Sequence, residues 1–393
     1  MKHYQYLIIG GGLAGDAAVR GIRELDANGS IGMLSTEPNP PYTRPNLSKG
    51  LWKGRPLEKI WRNTQEFGVE LHLARKVTQL DTLKKHVIDE TGEEYTFDKL
   101  LLATGGSPIR LPIGGEDDII YFRDLQDYHR LRALGERGER FLVIGGGFIG
   151  SEIAAALTMV GKKVVMVFLE EAIGVRVYPN DLSHYLNDFY RQKGVEVVTN
   201  DSVANLEKNG DRFTVRTRNG RAFEVDGVVA GIGIRPNVEL AQQAGLQVEN
   251  GILVDARLRT SAPDVFAAGD VANFFQAALG KRVRVEHEDN ALQMGKLAGR
   301  NMAGADEAYT HVPMFYSDLF ELGYEAVGEI DNKLETVADW QDPFNKGTIY
   351  YLENGRVRGV LLWNVWDQVA NARALIAAAG PLQVANLKDR LSG

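Results

Sequence analysis

Two stretches of the chain repeat the same order of apolar, glycine-rich and alanine-rich segments. Residues 6–9 form an apolar run, glycines follow at once, and an alanine-rich stretch with helical spacing comes next. Residues 141–144 begin a second copy of this order. A continuous apolar run of this length is typical of a buried parallel strand, and the stretch after the glycines has the period of a helix. Each copy therefore predicts a strand, a glycine turn and a helix, which together form a dinucleotide-binding unit.

The rest of the pattern predicts an α/β chain that ends in a different kind of domain. Further short strands are predicted at residues 30–34, 163–168, 192–199, 212–217 and 222–229. From about Thr310 the predicted strands become rich in aromatic residues, at 348–351 and 357–363, and a helix is predicted at 369–379, before a Gly-Pro pair. This change in pattern predicts a separate C-terminal α+β domain.

Composition excludes several classes of protein. The chain has 393 residues, 44% of them hydrophobic and 25% charged, with a formal net charge of −7. These values are ordinary for a globular protein of roughly two or three domains, and the mild acid excess argues against a nucleic-acid scaffold. The chain has no cysteine, which excludes disulfides, cysteine-ligated zinc and iron–sulfur sites, and thiol chemistry. No metal site is predicted.

No segment predicts a membrane span or a cleaved leader. No apolar run approaches the roughly 18 residues needed to cross a bilayer. The short N-terminal run is followed at once by glycines, with no cleavage-site pattern behind it. A cytoplasmic protein is therefore expected.

The first glycine turn has the spacing Gly10-x-Gly12-x-x-Gly15. In such a turn the first glycine allows a tight bend, the second lets the backbone approach a pyrophosphate, and the third lets helix and strand pack closely. The start of the helix supplies N–H donors and the positive end of a dipole. Glu37 follows at about the spacing of an acid that binds a ribose. These features together predict one dinucleotide site.

The second turn, Gly145-x-Gly147-x-x-Gly150, is followed at a similar spacing by Glu170. A carboxylate here accepts hydrogen bonds from ribose hydroxyls and repels a 2′-phosphate, which favours NADH over NADPH. Arg176 lies close enough in sequence to bind a phosphate instead. Two nucleotide folds in one chain predict two nucleotides, and the economical chemistry between them is hydride transfer from a nicotinamide to a flavin.

Several further motifs carry a family resemblance. They are PYTRPNLSK at 41–49, LATGG at 102–106, VFAAGD at 265–270, VEH at 285–287, HVPMFYSDL at 311–319, GYEAVG at 323–328 and LWN at 362–364. With these motifs the chain resembles, over nearly its full length, the FAD-dependent pyridine-nucleotide oxidoreductases that have two dinucleotide folds. Within that family it is similar to the branch that holds the ferredoxin reductases of oxygenase systems and apoptosis-inducing factor.

The resemblance implies the fold class and the domains. It implies an α/β protein with two Rossmann-like dinucleotide-binding domains of the glutathione-reductase type and a C-terminal α+β domain. Residues 1–113 and 246–308 would form a discontinuous FAD-binding domain, residues 114–245 the NAD-binding domain, and residues 309–393 the C-terminal domain.

The resemblance also implies which residues bind FAD and NADH. Around the first fold these are Gly10, Gly12, Leu13, Ala14, Gly15, Thr36, Glu37, Arg44, Lys49, Val77, Ala103, Thr104, Gly105, Arg110, Arg123, Gly269, Asp270, Glu286 and His287. Around the second fold they are Gly145, Gly147, Phe148, Ile149, Gly150, Glu152, Glu170, Arg176, Gly233 and Trp363. Asp270 would hydrogen-bond the ribityl chain of FAD, and the Arg44 guanidinium has the geometry to bind a pyrophosphate. Many relatives carry an acid at the position of Thr36, so Thr36 and Glu37 are both candidates for the adenosine ribose.

Lys49 and Glu152 are the implied catalytic residues. The resemblance places Lys49 near N5 of the isoalloxazine and pairs it with Glu152, on the helix after the second turn. A buried ammonium there would stabilise the anionic reduced flavin, and the carboxylate would offset the desolvation of that ammonium.

Several further positions have two interpretations each. Phe148, inside the second turn, either stacks on nicotinamide or packs against the protein. Glu286 and His287 match a pair that meets nicotinamide and flavin in the family, whereas a buried histidine is often only structural. Trp61 and Trp363 match aromatic residues that contact the nicotinamide nucleotide in apoptosis-inducing factor, and a core role is the alternative for each.

The leading functional hypothesis is an NADH-dependent flavoenzyme that passes electrons singly to a ferredoxin-type iron–sulfur protein. The alternatives are a redox-responsive NADH-binding flavoprotein of low turnover, similar to apoptosis-inducing factor, and a quinone reductase. The lack of cysteine excludes disulfide reductases and peroxidases that cycle a cysteine sulfenate. No nucleic-acid partner and no membrane span are expected, and the protein would be a monomer or a homodimer.

One basic segment could contact such a partner. Residues 44–62 hold six basic residues and one acid in a chain that is acidic overall. Apart from Arg44 and Lys49, which are assigned to the flavin, the basic residues are Lys53, Arg55, Lys59 and Arg62. These four residues would form a positive rim that steers an acidic ferredoxin toward the flavin. The alternative is a solvated loop with no specific partner.

Overall fold

The computed structural model describes residues 1–378, 380–382 and 386–391. Its strands are, in chain order, β1 (Lys2–Ile9), β2 (Ile31–Leu34), β3 (Val69–His72), β4 (Val77–Asp81), β5 (His86–Asp89), β6 (Glu94–Leu102), β7 (Gly106–Pro108), β8 (Ile120–Tyr121), β9 (Arg140–Ile144), β10 (Lys163–Val167), β11 (Glu196–Val198), β12 (Val203–Asn209), β13 (Arg212–Thr217), β14 (Ala222–Val225), β15 (Gly227–Ala230), β16 (Ile234–Pro236), β17 (Val248–Glu249), β18 (Gly251–Leu253), β19 (Val265–Ala267), β20 (Ala272–Gln276), β21 (Lys281–Val283), β22 (Met314–Leu319), β23 (Leu322–Gly328), β24 (Glu335–Asp342), β25 (Lys346–Glu353) and β26 (Arg356–Trp363). Its α-helices are α1 (Leu13–Arg23), α2 (Leu125–Arg137), α3 (Phe148–Met159), α4 (Asn180–Gln192), α5 (Glu239–Gln243), α6 (Glu288–Met302) and α7 (Val369–Ala377). The helix predicted at 369–379 is present up to Ala377, and Ala379 lies outside the described residues.

The chain forms two compact units. The first comprises Met1–Arg44, Pro56–Ser107 and Arg235–Met314, and the second comprises Pro45–Arg55, Pro108–Ile234 and Phe315–Gly393. Residues 45–55 and 108–113 therefore group with the second unit rather than with the expected FAD-binding domain, and residues 235–245 group with the first. Of the expected C-terminal domain, residues 309–314 group with the first unit, and the chain from Phe315 onward, which has a sheet of its own, groups with the second.

A mostly parallel sheet with strand order β3-β2-β1-β6-β5-β4 forms the core of the first unit, and β19 also pairs with β6. β1 is parallel to both of its neighbours, with Ile8 opposite Met33 on one side and Leu101 on the other. The Leu7 and Ile8 side chains are completely buried, as a continuous apolar run predicts for a strand covered on both faces. Because the strand order reverses at β1, its carboxyl end is the point where open α/β sheets bind ligands.

Helices α1 and α6 pack backbone against backbone in the first unit. A Cβ on Gly295 or Gly299 would overlap with the carbonyl oxygen of Ala14 or Ala18, respectively. A Cβ on Gly21 would likewise overlap with a carbonyl oxygen of α6. The residue numbers at these contacts rise together along both helices, so the two helices are parallel. Both therefore begin at the same end of the sheet, beside the carboxyl end of β1.

The second unit repeats the arrangement around β9. Its parallel sheet has the order β11-β10-β9-β15-β8, so the strand order again reverses beside the strand that precedes a glycine turn. The Leu142 and Val143 side chains in β9 are completely buried. β11 is shorter than the strand predicted at 192–199, because α4 continues to Gln192 and residues 193–195 form the turn after it, with their N–H groups bonded back to carbonyls of α4.

The prediction of one strand at 222–229 is wrong. These residues form β14 and β15, which belong to different sheets, with Asp226 between them. The Asp226 carboxylate accepts the backbone N–H groups of Glu139 and Arg140 at 2.7 and 2.9 Å. These hydrogen bonds fix the corner at which the chain leaves the antiparallel β12-β13-β14 sheet and enters the parallel sheet beside β9.

The C-terminal strands form an antiparallel sheet with the order β22-β23-β26-β25-β24, and α7 packs against β23 and β26. The strands predicted at 348–351 and 357–363 lie within β25 and β26. Tyr324, Tyr351 and Trp363 are completely buried in this part of the second unit. Within the described residues, no helix is both long and apolar enough to cross a membrane.

Candidate cofactor and active site

The first glycine turn has the conformation that a dinucleotide site requires. Gly10 has φ +126°, which L side chains rarely adopt, and a Cβ there would overlap with the carbonyl of Ala103. A Cβ on Gly15 would overlap with the carbonyl oxygen of Gly10, so this glycine allows α1 to pack closely on the turn. A Cβ on Gly12 meets no atom within 4 Å. Gly12 therefore faces open space at the start of α1, where a pyrophosphate would approach the backbone N–H groups.

The second turn has the same three features. Gly145 has φ +112°, and a Cβ on Gly150 would overlap with the backbone of Gly145. A Cβ on Gly147, at the start of α3, meets no atom within 4 Å. Neither α1 nor α3 has a side-chain hydrogen bond at its N-cap. The residues around both turns thus fit a bound dinucleotide, one in each unit.

Glu37, Tyr42 and Arg44 form a polar cluster beyond the first turn. Arg44 Nη2 donates to Glu37 Oε1 at 2.6 Å, and the Tyr42 hydroxyl donates to Glu37 Oε2 at 2.6 Å. Glu37 is partly buried whereas Thr36 is exposed, and which of them meets a ribose stays a prediction. Tyr42 was not assigned a role from sequence, although it lies inside the motif at 41–49.

Arg284 connects two predicted segments of the FAD site. Its Nη1 donates to the carbonyl oxygen of Asp270 at 3.1 Å and pairs with Glu286 Oε1 at 2.6 Å. Its Nε donates to Asn250 Oδ1 at 3.0 Å, and its side chain is only 10% exposed. His287 is the N-cap residue of α6. Sequence reasoning missed Arg284, because it lies one residue outside the VEH motif.

Lys49 and Glu152 form an ion pair in the second unit. Lys49 Nζ lies 2.8 Å from Glu152 Oε1, and the side chains are 12% and 3% exposed. The residues are thus paired as the resemblance implies. A pair this strongly buried persists only where hydrogen bonds satisfy the remaining lone pairs and protons.

Two serines supply hydrogen bonds to the buried carboxylate. The Ser48 hydroxyl donates to Glu152 Oε2 at 2.6 Å, and the Ser317 hydroxyl donates to Glu152 Oε1 at 2.5 Å. Lys49 Nζ also lies 5.1 Å from the centre of the Tyr316 ring, within the range of a cation–π interaction. Ser48 adjoins Lys49 in sequence, whereas Ser317 comes from β22, 165 positions from Glu152. The motif at 311–319 was noted, but its serine had no assigned role.

Glu170 and Arg176 form an ion pair after β10. Arg176 Nη2 lies 2.5 Å from Glu170 Oε1, with the arginine side chain 83% exposed and the glutamate 29% exposed. Glu170 and Arg176, which the sequence offers as alternative contacts to the nucleotide, therefore pair with each other. The Glu170 carboxylate stays partly exposed, and its contact with ribose hydroxyls stays a prediction.

The aromatic candidates differ in their accessibility. Trp363 is completely buried, its ring stacks on Tyr324 at 5.5 Å, and its indole N–H donates to the carbonyl oxygen of Phe344. The Trp363 ring thus packs as the core alternative predicts, and its contact with a nucleotide stays a prediction. Phe148 packs against Phe315 at 4.9 Å, and Trp61 packs edge-on against Tyr42 at 6.1 Å. Both Phe148 and Trp61 are partly exposed.

The remaining candidates lie near the turns or on the surface. Thr104 Oγ1 donates to the carbonyl oxygen of Asn237, and the Asn237 amide donates back to the carbonyl oxygen of Thr104. Arg110 is exposed and pairs with Asp117 at 2.7 Å. The other predicted positions are Leu13, Ala14, Val77, Ala103 and Gly269, which are buried, Gly105 and Arg123, which are partly buried, and Ile149 and Gly233, which are exposed. Their contacts with a cofactor stay predictions.

One of the four residues of the predicted basic rim, Arg62, pairs with a buried carboxylate. Arg62 Nε lies 2.8 Å from a carboxylate oxygen of Asp16, which is completely buried, so Arg62 is part of the structure around α1. Lys53, Arg55 and Lys59 are exposed, and Lys53 pairs with Asp318 at 2.7 Å.

Comparison with known proteins agrees with this geometry. Residues 4–295 match the family described as pyridine nucleotide-disulphide oxidoreductase, and residues 298–343 and 338–378 match the C-terminal domain of apoptosis-inducing factor. The chain is 33% identical to apoptosis-inducing factor 1, mitochondrial, of Dictyostelium discoideum, over 96% of this chain and 79% of that protein. It is 33% identical to the ferredoxin–NAD(+) reductase component of the anthranilate 1,2-dioxygenase system of Burkholderia cepacia, over 99% and 98% of the two chains.

A solved structure extends the match to the fold. The reductase in the covalent putidaredoxin reductase–putidaredoxin complex superimposes with a TM-score of 0.92 and 28% identity, over 99% of this chain and 96% of that one. The two glycine turns, at the carboxyl ends of β1 and β9, lie within the matched segment. The chain belongs to the pyridine nucleotide-disulphide oxidoreductase family, in a form without cysteine.

Proposed function

We propose that this protein is an NADH-dependent FAD oxidoreductase that passes electrons to a ferredoxin-type iron–sulfur protein. The observation that carries the proposal is the pair of glycine turns, each with its middle glycine facing open space at a helix start. Two such turns in one chain suit FAD in the first unit and NADH in the second. When bound, FAD can accept a hydride from NADH and release its two electrons one at a time.

The residues of the chain bind and orient the reactants. The N–H groups at the starts of α1 and α3 receive the two pyrophosphates, and the Arg44 guanidinium adds a positive charge in the first unit. The Lys49 ammonium, held by Glu152 at 2.8 Å, provides a buried positive charge that would stabilise a reduced, anionic flavin. No cysteine is available to carry electrons onward, so the acceptor must take them directly from the flavin.

Glu170 supports a preference for NADH. A carboxylate at this position accepts hydrogen bonds from ribose hydroxyls and repels a 2′-phosphate. We expect kcat/KM for NADH to exceed that for NADPH by at least about tenfold, which corresponds to about 1.4 kcal/mol of transition-state discrimination. Steady-state kinetics with both nucleotides would test this, and equal use of the two would contradict the assignment of Glu170.

The names of two relatives support a ferredoxin-type acceptor. One is a ferredoxin–NAD(+) reductase component of an oxygenase system, and the other was solved in a covalent complex with putidaredoxin. Both comparisons extend over at least 96% of each chain, so the match covers the whole reductase in each case.

A second function is favoured by the C-terminal match. Residues 298–378 match the C-terminal domain of apoptosis-inducing factor, and a relative of that name is 33% identical. In this alternative, NADH binding changes the partners of the protein, and turnover is slow and incidental.

One experiment separates the two proposals. The protein is saturated with FAD and mixed with NADH and a [2Fe–2S] ferredoxin, and ferredoxin reduction is followed without oxygen. Fast turnover that requires the ferredoxin supports the reductase. Slow reduction by NADH, followed by a long-lived NADH complex that ferredoxin does not accelerate, supports the alternative and contradicts the proposed enzyme.

A further inference from the structure

The loop at residues 170–178, which begins with Glu170 and contains Arg176, is held from two sides. Its first half is held by its own nucleotide-binding fold. The Asn187 side chain accepts the N–H of Ile173 at 3.1 Å and donates to the carbonyl oxygen of Glu171 at 2.9 Å. The N–H of Gly174 donates to the carbonyl oxygen of Gly146, inside the second glycine turn, at 2.9 Å.

The second half of the loop is held by the C-terminal sheet. The N–H of Asn332, in the turn between β23 and β24, donates to the carbonyl oxygen of Arg176 at 3.1 Å. The hydroxyl of Tyr351, on β25, donates to the carbonyl oxygen of Val177 at 2.7 Å. The Tyr178 hydroxyl donates to the Tyr324 hydroxyl on β23 at 2.8 Å. Three successive residues of the loop are thus bonded to the sheet.

Among these residues, Tyr351 can be tested by the removal of a single atom, its hydroxyl oxygen. It is completely buried, and burial raises the pKa of its hydroxyl well above the usual value. The hydroxyl therefore keeps its proton and remains a donor to Val177. Changing Tyr351 to phenylalanine removes this hydrogen bond and leaves the ring in place.

Arg176 depends on these backbone bonds for its position. Its side chain is 83% exposed, and an exposed ion pair with Glu170 holds a long side chain only weakly. The carbonyl of Arg176 and the carbonyl of the next residue are both bonded to the C-terminal sheet. The sheet therefore fixes the point from which the guanidinium reaches Glu170.

We propose that the C-terminal sheet sets the recognition of the adenosine ribose of NADH, with Tyr351 as a positioning residue that acts through Arg176. The inference rests on the proposed function, because it requires the second unit to bind NADH beside Glu170. When Tyr351 holds Val177, Arg176 stays paired with Glu170 and keeps the carboxylate oriented toward ribose hydroxyls. When that hydrogen bond is lost, Arg176 leaves Glu170 more often and can turn toward a 2′-phosphate.

The test compares two neighbouring buried tyrosines. Tyr351→Phe removes the hydrogen bond to Val177. Tyr350→Phe removes a hydroxyl from an equally buried tyrosine on the opposite face of β25 and serves as the matched control. Kd for NADH and for NADPH is measured by anaerobic calorimetry on the FAD-loaded wild type and on both variants, and again on both variants combined with Arg176→Ala. The flavin of each protein is first reduced with dithionite, so that no hydride transfer adds to the heat of binding. Thermal unfolding confirms that each variant is folded.

The expected result is specific to Tyr351 and depends on Arg176. Tyr351→Phe weakens NADH binding by at most about threefold to tenfold, because an effect relayed through Arg176 cannot exceed the free energy of the one hydrogen bond removed. It also brings the Kd values for NADH and NADPH closer together. Tyr350→Phe leaves both Kd values unchanged. On the Arg176→Ala background, Tyr351→Phe has no further effect, because the residue through which it acts is gone.

Two results would overturn the inference while leaving the proposed function intact. One is a Tyr351→Phe protein that binds both nucleotides as Tyr350→Phe does. The other is an effect of Tyr351→Phe that is the same with and without Arg176, which would make Tyr351 a general structural residue. A wild-type protein that binds FAD but no NADH would instead overturn both the inference and the proposed function.

Discussion

Glu152 is a nearly fully buried carboxylate whose two oxygens accept hydrogen bonds from Ser48 and Ser317 and an ion-pair contact from Lys49. An unpaired ion in such a place would cost several kcal/mol, so the three donors are what allow the charge to stay there. The result is an ammonium group held in one position by a partner that cannot easily move.

The first prediction concerns the coupling of Lys49 and Glu152. We expect Glu152→Gln and Lys49→Met each to change the flavin reduction potential and to slow reduction by NADH, because each leaves one buried charge uncompensated. The two single variants should shift the potential in opposite directions, and the shift in the double variant should differ from their sum by a coupling above about 1 kcal/mol. Potentiometric titration of the four proteins measures it, and potentials that stay unchanged in both single variants would place the pair away from the flavin.

A second residue-scale prediction concerns Asp264. Hydrogen bonds from Lys85 and Lys99 hold the pKa of this carboxyl below its usual value. A carboxyl group whose pKa is lower in the folded protein than in the unfolded chain stabilises the fold at any pH above the pKa of the unfolded chain, which is about 3.9 for aspartate. This stabilisation is lost as the pH falls through the pKa of the folded protein.

We therefore expect Asp264→Asn to destabilise the first unit by about 1 kcal/mol at pH 7. The Asp264 carboxylate is charged from about pH 7 to pH 5, so the difference in Tm between the variant and the wild type should be constant over this range. The difference should shrink below about pH 4, where the carboxylate takes up a proton. Thermal unfolding of both proteins across this range measures it. A difference that stays the same at the lowest pH would show that charge is not the cause.

Among the elements, each glycine turn contains one glycine that the packing of the chain requires and one that only a bound cofactor would require. Gly15 and Gly150 are required by the fold, because a Cβ on either would overlap with the backbone of the turn. Gly12 and Gly147 have φ values of −88° and −85°, which any residue adopts, and open space beside them. Alanine at Gly12 or Gly147 should therefore be tolerated by the chain and opposed only by a bound nucleotide.

This contrast gives the third prediction. The Gly12→Ala variant should fail to retain FAD, while its cofactor-free form unfolds at the same temperature as the cofactor-free wild type. Gly147→Ala should keep FAD and bind NADH at least about tenfold more weakly, since the methyl group occupies the approach to the pyrophosphate. FAD content after gel filtration measures the first effect, and anaerobic calorimetry with NADH, on protein whose flavin has first been reduced with dithionite, measures the second. Gly15→Ala is the comparison that should fail to fold properly, and full FAD binding by Gly12→Ala would contradict the site.

The elements that sequence predicts best are those with the strongest local pattern. The runs at 6–9 and 141–144 lie in buried central strands, because uninterrupted apolar residues suit a strand covered on both faces. The break at Asp226 was not predictable, since its carboxylate binds N–H groups that lie 86 and 87 positions away in sequence. The same reason hides Ser317, whose partner Glu152 is 165 positions away. Long-range hydrogen bonds leave no periodic signal.

Resemblance identified Lys49 and Glu152 correctly as a pair, whereas for Trp363 it left a nucleotide contact and a core role as alternatives. A match of residue type in a motif does not show which way a side chain points. The Trp363 ring packs against Tyr178 and Tyr324, so this aromatic residue belongs to the core under β23 and β26. The pairing of Glu170 with Arg176 was also not foreseen, because the pattern treated the two residues as competitors.

Across the whole molecule, exposed basic residues on one segment contrast with a formal net charge of −7. Lys53 and Arg55 are exposed on the segment 45–55, which also contains Lys49. Positive charges on this segment would raise the rate of encounter with an acidic ferredoxin, and salt would screen the effect.

The fourth prediction follows from that charge. The variant with Lys53→Glu and Arg55→Glu should have a lower kcat/KM for ferredoxin and a flatter dependence on ionic strength, while ferricyanide reduction changes much less. Lys84→Glu, an exposed lysine in the turn after β4, is the control for a charge reversal as such. Unchanged ferredoxin turnover at low salt would remove this segment from the docking surface.

The central claim is that electrons pass from NADH through one FAD to a one-electron acceptor. Anaerobic stopped-flow absorbance measures it most directly, with NADH added to the FAD-loaded protein and a [2Fe–2S] ferredoxin added in a second mixing step. We expect rapid loss of the flavin absorbance with NADH, slower loss with NADPH, and reoxidation by two equivalents of ferredoxin per FAD. A protein that binds no FAD, or whose reduced form persists unchanged in excess ferredoxin, would contradict it.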